Sequence, residues 1–428
     1  MTEVLKDVLW PEPLLDSLQP AYAVAEPNGK SRLDELAIFG GCPAFADKLH
    51  VGCPNIGSRE RLLERINDIL DRRWLTNHGP YVQEFERRVA EAVGVKHCIA
   101  MCNATVALEI AIRALDLSGE VILPSMTFIA TAHALQWQGI TPVFCDIDSR
   151  TLTLDPSRVE ELITPRTTGI IGVHLFGRSC DTDALAEVSR RRKLRLMYDA
   201  AHAFGGAHNG QMIGGFGEAE VFSFHATKFL NSLEGGAVMT NDDELATKIR
   251  YMQNFGFAGY DNVVYIGTNG KMNEFSAAMG LTSLESMEAI IAANRRNYES
   301  YREMLSGIPG VTLRGIDDGE KRNYQYVVID VDEAKTGINR DGIVQCLHAE
   351  NVIARRYFYP GCHRMEPYRS YFPNAHLLLP VTERVVRHIV TLPTGTSVSR
   401  DDIARVCELL RFIVGRGPEI SAHLPASS

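Results

Sequence analysis

The sequence holds no CxxC pair and no Cys/His pairing at metal-ligand spacing, which argues against a zinc ribbon or finger. Its 9 cysteines are an odd, scattered set. In a chain of this size they read as reduced, mostly buried thiols rather than a disulfide framework. No apolar run is long enough to span a bilayer. Met1–Leu9 mixes acidic and apolar residues and has no signal-peptide pattern. There is no long basic block either, and the net charge is -9. The one basic cluster, Arg190-Arg191-Arg192-Lys193, falls where a helix should end, where cations complement the helix dipole. A general nucleic-acid binder is therefore disfavoured. Internal repeats and low-complexity tracts are also missing. What remains is a cytoplasmic globular protein of 428 residues, 45% hydrophobic, with enough apolar residues for a large core.

The pattern along the chain divides it into three parts. Residues 1–36 carry Trp10-Pro11-Glu12-Pro13, Gln19-Pro20 and Pro27-Asn28-Gly29 and read as an irregular N-terminal extension. Residues 37–285 begin with two amphipathic helices, one after Ser58 and one after Pro80. Seven short apolar runs follow: Cys98–Met101, Val121–Leu123, Val143–Ile147, Gly169–Val173, Leu194–Tyr198, Val221–Phe224 and Ala237–Thr240. Helical stretches such as Ala104–Leu115, Thr127–Trp137 and Thr182–Arg191 lie between several of them. This alternation predicts an α/β fold with a mostly parallel sheet covered on both faces, whose ligands bind beyond the C-terminal strand ends. Residues 286–428 read as a smaller α+β domain. It has a long helix at Ser286–Leu305, a strand at Gln325–Asp330, a last helix at Asp402–Val414 and a frayed tail after Arg416.

Four segments at predicted strand ends carry residues with chemical potential. In Phe222-Ser-Phe-His-Ala-Thr-Lys228, a lysine follows a strand, and the pair Gly235-Gly236 precedes the next one. A lysine amine placed there can bond to a pyridoxal-phosphate (PLP) aldehyde and later shuttle protons. In Leu196-Met-Tyr-Asp199-Ala-Ala-His202, an apolar strand ends in a carboxylate 29 residues before that lysine. A carboxylate there can pair with a protonated pyridine nitrogen, though an ordinary helix cap is the plainer alternative. His202 either faces the same ligand or serves as a structural hydrogen-bonding group. Met101-Cys-Asn103-Ala104-Thr105 opens an Ala/Leu-rich helix, whose amides and hydroxyl can hold a phosphate or simply cap the helix. Phe128, in Pro124-Ser-Met-Thr-Phe-Ile-Ala-Thr131, can stack on a ring or fill the core.

Together these segments resemble the DegT/DnrJ/EryC1/StrS family of sugar-nucleotide aminotransferases, over about residues 37–412. The matching motifs are Thr76-Asn77-His-Gly79-Pro80…Phe85-Glu86, Pro124–Thr131, Asp199-Ala-Ala-His202, Ser223–Lys228, Glu234-Gly-Gly236 and Gly267-Thr-Asn269…Asn273-Glu274…Ala277-Ala278. The resemblance implies a PLP-dependent transferase of fold type I (aspartate-aminotransferase-like), with a large seven-stranded domain and a small C-terminal α+β domain. It implies Lys228 as the Schiff-base lysine, Asp199 as the partner of the ring nitrogen and His202 beside the ring hydroxyl. Ala104, Thr105 and Ser223 match phosphate-holding positions. Asn269 matches a residue that reaches the phosphate held by the other subunit, so the implied assembly is a homodimer with shared sites. One departure is Asn103-Ala104-Thr105, where many members have Ser-Gly-Thr.

The resulting expectation is transfer of an amino group from L-glutamate to a nucleotide-linked keto-deoxysugar, for antibiotic or surface-glycan amino sugars. His50–Asn55 and Gly267–Glu274 are similar to the branch acting at C4 of dTDP-4-keto-6-deoxyhexoses. Thr76, Asn77, Arg355 and Arg356 are the candidate substrate contacts, the two arginines for a diphosphate. No metal is called for. Two alternatives remain. One is a PLP-dependent sugar dehydratase or lyase, since members that dehydrate carry His in place of the lysine kept here as Lys228. The other is a non-catalytic PLP-binding regulator.

Overall fold

A computed structural model describes residues 29–315 and 319–424. Most of the predicted extension, residues 1–28, lies outside the described residues. The centre of the molecule is a seven-stranded sheet: β1 His97–Met101, β2 Glu120–Pro124, β3 Thr141–Cys145, β4 Thr167–Val173, β5 Arg195–Asp199, β6 Ala219–Ser223 and β7 Gly236–Thr240. Their order across the sheet is β1-β7-β6-β5-β4-β2-β3. β2 to β6 run parallel to one another, while β7 is antiparallel to both β1 and β6. Every residue of β2, β6 and β7 is buried, as expected for a sheet covered on both faces.

Two helices cover the N-terminal approach to the sheet: α1 Arg59–Arg72 and α2 Pro80–Val93. Ser58 caps α1 by accepting from the Arg61 N–H. Val82, Phe85, Val89 and Val93 of α2 turn inward at helical spacing. Burying side chains of this kind contributes roughly 1.5–3 kcal/mol each. Two more helices follow strands: α3 Ala104–Ala114 after β1, and α4 Ile129–Gln136 after β2. Helix α5, Glu274–Glu285, packs on α1 and α2. The Glu274 carboxylate accepts from the N–H groups of Tyr81 and Val82 and so caps α2 from across the chain. A Cβ on Gly79 would come within 2.5 Å of that carboxylate, which accounts for the glycine before Pro80. Glu86 is also buried. It accepts from the Ala100 N–H at 2.8 Å and from Arg250, and pairs with His78. Burial pushes its pKa up, but these partners outweigh that and hold it below the usual carboxylate value. The motif residues Gly79, Glu86 and Glu274 therefore build the frame.

The C-terminal part holds α6 Met287–Met304, a three-stranded antiparallel sheet of β8 Val311–Leu313, β9 Val327–Val331 and β10 Ile389–Leu392, and the helices α7 Arg340–Ala349 and α8 Arg400–Gly415. Residues 33–50 also belong to its surface. Leu36, Ala44 and Phe45 enter its core, and Leu49–His50 pairs in parallel with Val352–Ile353. Buried Glu350 fixes that segment by accepting from the Ala37 and Ala44 N–H groups. The expected frayed tail after Arg416 is instead a helix, α9 Gly417–His423, because Ile420 is fully buried against the same core. Among the described residues, no helix is long and apolar enough to cross a membrane, and no cluster of three His, Cys, Asp or Glu side chains could hold a metal.

Candidate active site

The parallel strands end at a common edge, and the residues singled out from the sequence gather along it. Asp199 is the last residue of β5 and is buried. Its Oδ2 accepts from the Thr131 hydroxyl at 2.7 Å, and its Oδ1 from the Ala201 N–H at 3.1 Å. The Thr127 hydroxyl lies 2.9 Å from that of Thr131 and extends the chain. Burial raises the Asp199 pKa, while Thr131, the Ala201 amide and the charge of Lys228 oppose the rise.

Lys228 lies in the loop joining β6 to β7. Both ends of that loop are pinned: the Phe224 N–H donates to the Gly235 carbonyl and the Ser232 N–H to the Phe224 carbonyl, each at 2.8 Å. Asn55 fastens the loop from outside, donating to the Phe229 carbonyl while its own carbonyl accepts from Asn231. Gly52, at φ 78°, sits against Thr227 with no room for a side chain. The stretch His50–Asn55 is thus a clamp on the lysine loop. The Lys228 side chain is half-buried, and its amine lies deep in the cleft. These surroundings lower its pKa to about 8, against the opposing pull of Asp199.

His202 is buried three residues beyond Asp199, and burial, with Lys228 nearby, holds its pKa well below 6.5. The Phe176 N–H donates to its Nδ1 at 3.3 Å, so the ring hydrogen resides on Nε2. The ring stacks on Phe358 at 5.7 Å and on Phe176 at 6.2 Å, and tilts against Tyr326 at 4.6 Å. Asn323 fixes the backbone of this turn by donating to the His202 and Phe204 carbonyls.

At the next strand end, Asn103 caps α3 by accepting from the Val106 N–H. This leaves the amides of Ala104 and Thr105 at the helix start, half-buried. Gly236 passes so close that a Cβ there would lie 2.6 Å from the Ala104 nitrogen. Ser223, at the end of β6, is buried beside this turn, its hydroxyl accepting from the His225 N–H at 3.4 Å. Phe128 is 58% exposed, with its ring 6.2 Å from Phe358. An exposed aromatic at a strand end departs from the core-packing reading.

The other sequence-derived positions lie further out. Thr76 and Asn77 are exposed in the loop before α2, Asn77 at φ 60°. Asn269 is exposed, and its carbonyl lies beside the Cys102 thiol. Arg355 is exposed, with its guanidinium over the Tyr357 ring. Arg356 is already paired with Asp341 at 2.8 Å and stacked over Tyr359. The sequence reading gave no part to Phe176, Tyr326, Tyr357 or Phe358, which form an aromatic wall around His202. They come from one loop of the large sheet and two of the C-terminal part, and no spacing marks them.

Comparisons with known proteins give the chain its family. A family model for the DegT/DnrJ/EryC1/StrS aminotransferases matches residues 57–411. The dTDP-4-amino-4,6-dideoxy-D-glucose transaminase of Shigella dysenteriae is 37% identical over 361 residues, covering 84% of this chain and 97% of that protein. The GDP-perosamine synthase of Caulobacter vibrioides is 34% identical over 376 residues, covering 85% and 97%. The crystal structure of DesI in the presence of its TDP-sugar product superposes with a TM-score of 0.88 at 51% identity, covering 91% of this chain and 99% of that one. With this match over most of its length and these relatives, the chain belongs to the DegT/DnrJ/EryC1/StrS aminotransferase family.

Proposed function

We propose that this enzyme uses PLP to move an amino group from L-glutamate to the keto carbon of a nucleotide-linked deoxysugar, at C4 of a dTDP-4-keto-6-deoxyhexose. The observation that carries the reading is one cleft holding a buried carboxylate, a lysine with a depressed pKa and free amides at a helix start. That donor set suits the cofactor. Lys228 offers the amine, Asp199 a buried acid partner for a ring nitrogen, and Ala104, Thr105 and Ser223 an anion cradle. Phe128 presents a ring face to the same space. When bound, the cofactor supplies an electron sink that makes the α-hydrogen of an amino acid acidic.

The chain's own groups then do three things. The Lys228 amine, neutral in a useful fraction because its pKa is about 8, takes that hydrogen from glutamate. In the second half it returns a proton to the sugar carbon that gains nitrogen. Asp199 stays acid-paired, with Thr131 fixing the orientation of its carboxylate. The aromatic wall of Phe176, Tyr357 and Phe358 excludes water and faces an apolar edge of the sugar. Retention of the lysine, and the transaminase activity of the relatives, favour transfer over dehydration.

We read the assembly as a homodimer. Leu63, Leu70, Trp74, Leu75, Val263 and Ile266 are all exposed, apolar side chains of the kind a partner subunit covers. The decisive test is the absorbance spectrum of the purified protein before and after L-glutamate. A visible cofactor band that bleaches, and that returns on adding a dTDP-4-keto-6-deoxyhexose, is the expected result. A protein that takes up no PLP overturns the reading.

A further inference from the structure

Among the described residues, Lys228 Nζ makes its hydrogen bond to Tyr326 Oη, at 3.5 Å across 98 positions of sequence. Tyr326 stands just ahead of β9, in the C-terminal part, so the lysine of one sheet is met by a phenol from the other. The phenol is 8% exposed and held on three sides, by His202 at 4.6 Å, Phe176 at 5.4 Å and Tyr357 at 6.4 Å between ring centroids. A buried phenol hydroxyl needs a partner, and here that partner is the lysine amine. Asp199 faces the amine from the end of β5 and His202 from the following turn. Of these, Asp199 carries the charge and Tyr326 supplies the directed contact.

We propose that Tyr326 is a positioning residue for Lys228, its hydroxyl holding the amine in the cleft whenever the amine is not bonded to the cofactor. This rests on the reading of Lys228 as the reactive amine. A free lysine side chain has four torsions, and fixing them costs entropy that a single directed contact offsets. Burial pushes the phenol pKa well above 10, so Tyr326 keeps its hydrogen through the working range. Its oxygen accepts from Nζ–H, and its O–H can turn to the lone pair of the neutral amine. The contact therefore survives both protonation states. The amine stays where it was released, between the first proton transfer and the second.

The test is Tyr326→Phe, which keeps the ring packing and removes the hydroxyl. The full-length protein is stripped of cofactor with hydroxylamine, and its fold is checked by circular dichroism. Acetylation of Lys228 by acetic anhydride is then followed against pH by peptide mass spectrometry. The lysine midpoint should fall by about half a unit to one unit, because the bond lost from the ammonium is stronger than the one lost from the neutral amine. In the loaded enzyme, kcat of both half-reactions should fall about tenfold with KM within about twofold. A lysine midpoint equal to that of the unaltered protein overturns the proposal, whatever the rates do. Because the titration is made without cofactor or substrate, it stands apart from the functional reading. That reading fails separately, if glutamate leaves the unaltered enzyme's band in place.

Discussion

Two walls face each other across the cleft, and they differ in kind. The wall on the large sheet is polar and local: Asp199 with Thr131, Lys228 in its pinned loop, and the amides of Ala104 and Thr105. Each group sits within a few residues of a strand end. The opposite wall is aromatic and mostly remote: Tyr326, Tyr357 and Phe358, with Phe176 reaching over from the loop after β4. The first wall has what bond-making needs, and the second has shape and apolar surface. Under the proposed function, the fold separates reactivity from recognition.

That division can be broken in order of expected effect. Lys228→Ala should lower turnover roughly ten-thousand-fold or more and abolish the visible cofactor band, read by stopped-flow and absorbance. Activity near the original level would mean that the polar wall had been misread. Asp199→Asn should slow both half-reactions by about a hundredfold to a thousandfold while the band persists, since preorganised electrostatic groups are worth that much. Phe358→Ala tests the other wall. The keto-sugar KM should rise about tenfold, near 1.4 kcal/mol, with the glutamate half-reaction within about twofold. An equal loss in both halves would join the two walls functionally.

The smallest effect concerns stability. Lys228 titrates at about 8 in the fold, against 10.5 for an unperturbed lysine. Below pH 8 both folded and unfolded chains carry the proton, and the fold bears the full cost of holding a charge there. Between about 8 and 10.5 the unfolded chain binds more protons, so stability rises with pH through that window. The half-open side chain lets solvent screen part of this. Lys228→Met should therefore stabilise the cofactor-free protein by about 1–2 kcal/mol at pH 7, and the gain should vanish by pH 10.5. Urea melts at the two pH values decide it.

Much of the polar wall was legible because strands and chemistry coincide in sequence. All seven predicted strands fall within a few residues of the observed ones, and Lys228 and Asp199 lie where a parallel sheet exposes strand ends. The antiparallel course of β7 and its place between β1 and β6 were not legible, since a Gly-Gly turn fixes neither direction nor neighbour. The aromatic wall was hidden for a different reason. Tyr326 reads as one more apolar residue opening a strand, and only the packing of the C-terminal part brings it to the lysine. Arg356, which its sequence neighbourhood suggested as a phosphate ligand, stands paired with Asp341 and over the ring of Tyr359, contacts that no spacing announced. Ile420 holds α9 in place through burial that a short polar tail does not announce.

The double pinning of the lysine loop has a mechanical consequence. With Phe224 tied to both Gly235 and Ser232, and Asn55 gripping the far side, the Cα of Lys228 is a fixed pivot. The amine then travels only on its own methylene arm, sweeping an arc whose radius the loop cannot lengthen. If Lys228 is the proton carrier proposed above, every atom that exchanges a proton with it must come to that arc, and the reaction is selected by what stands there.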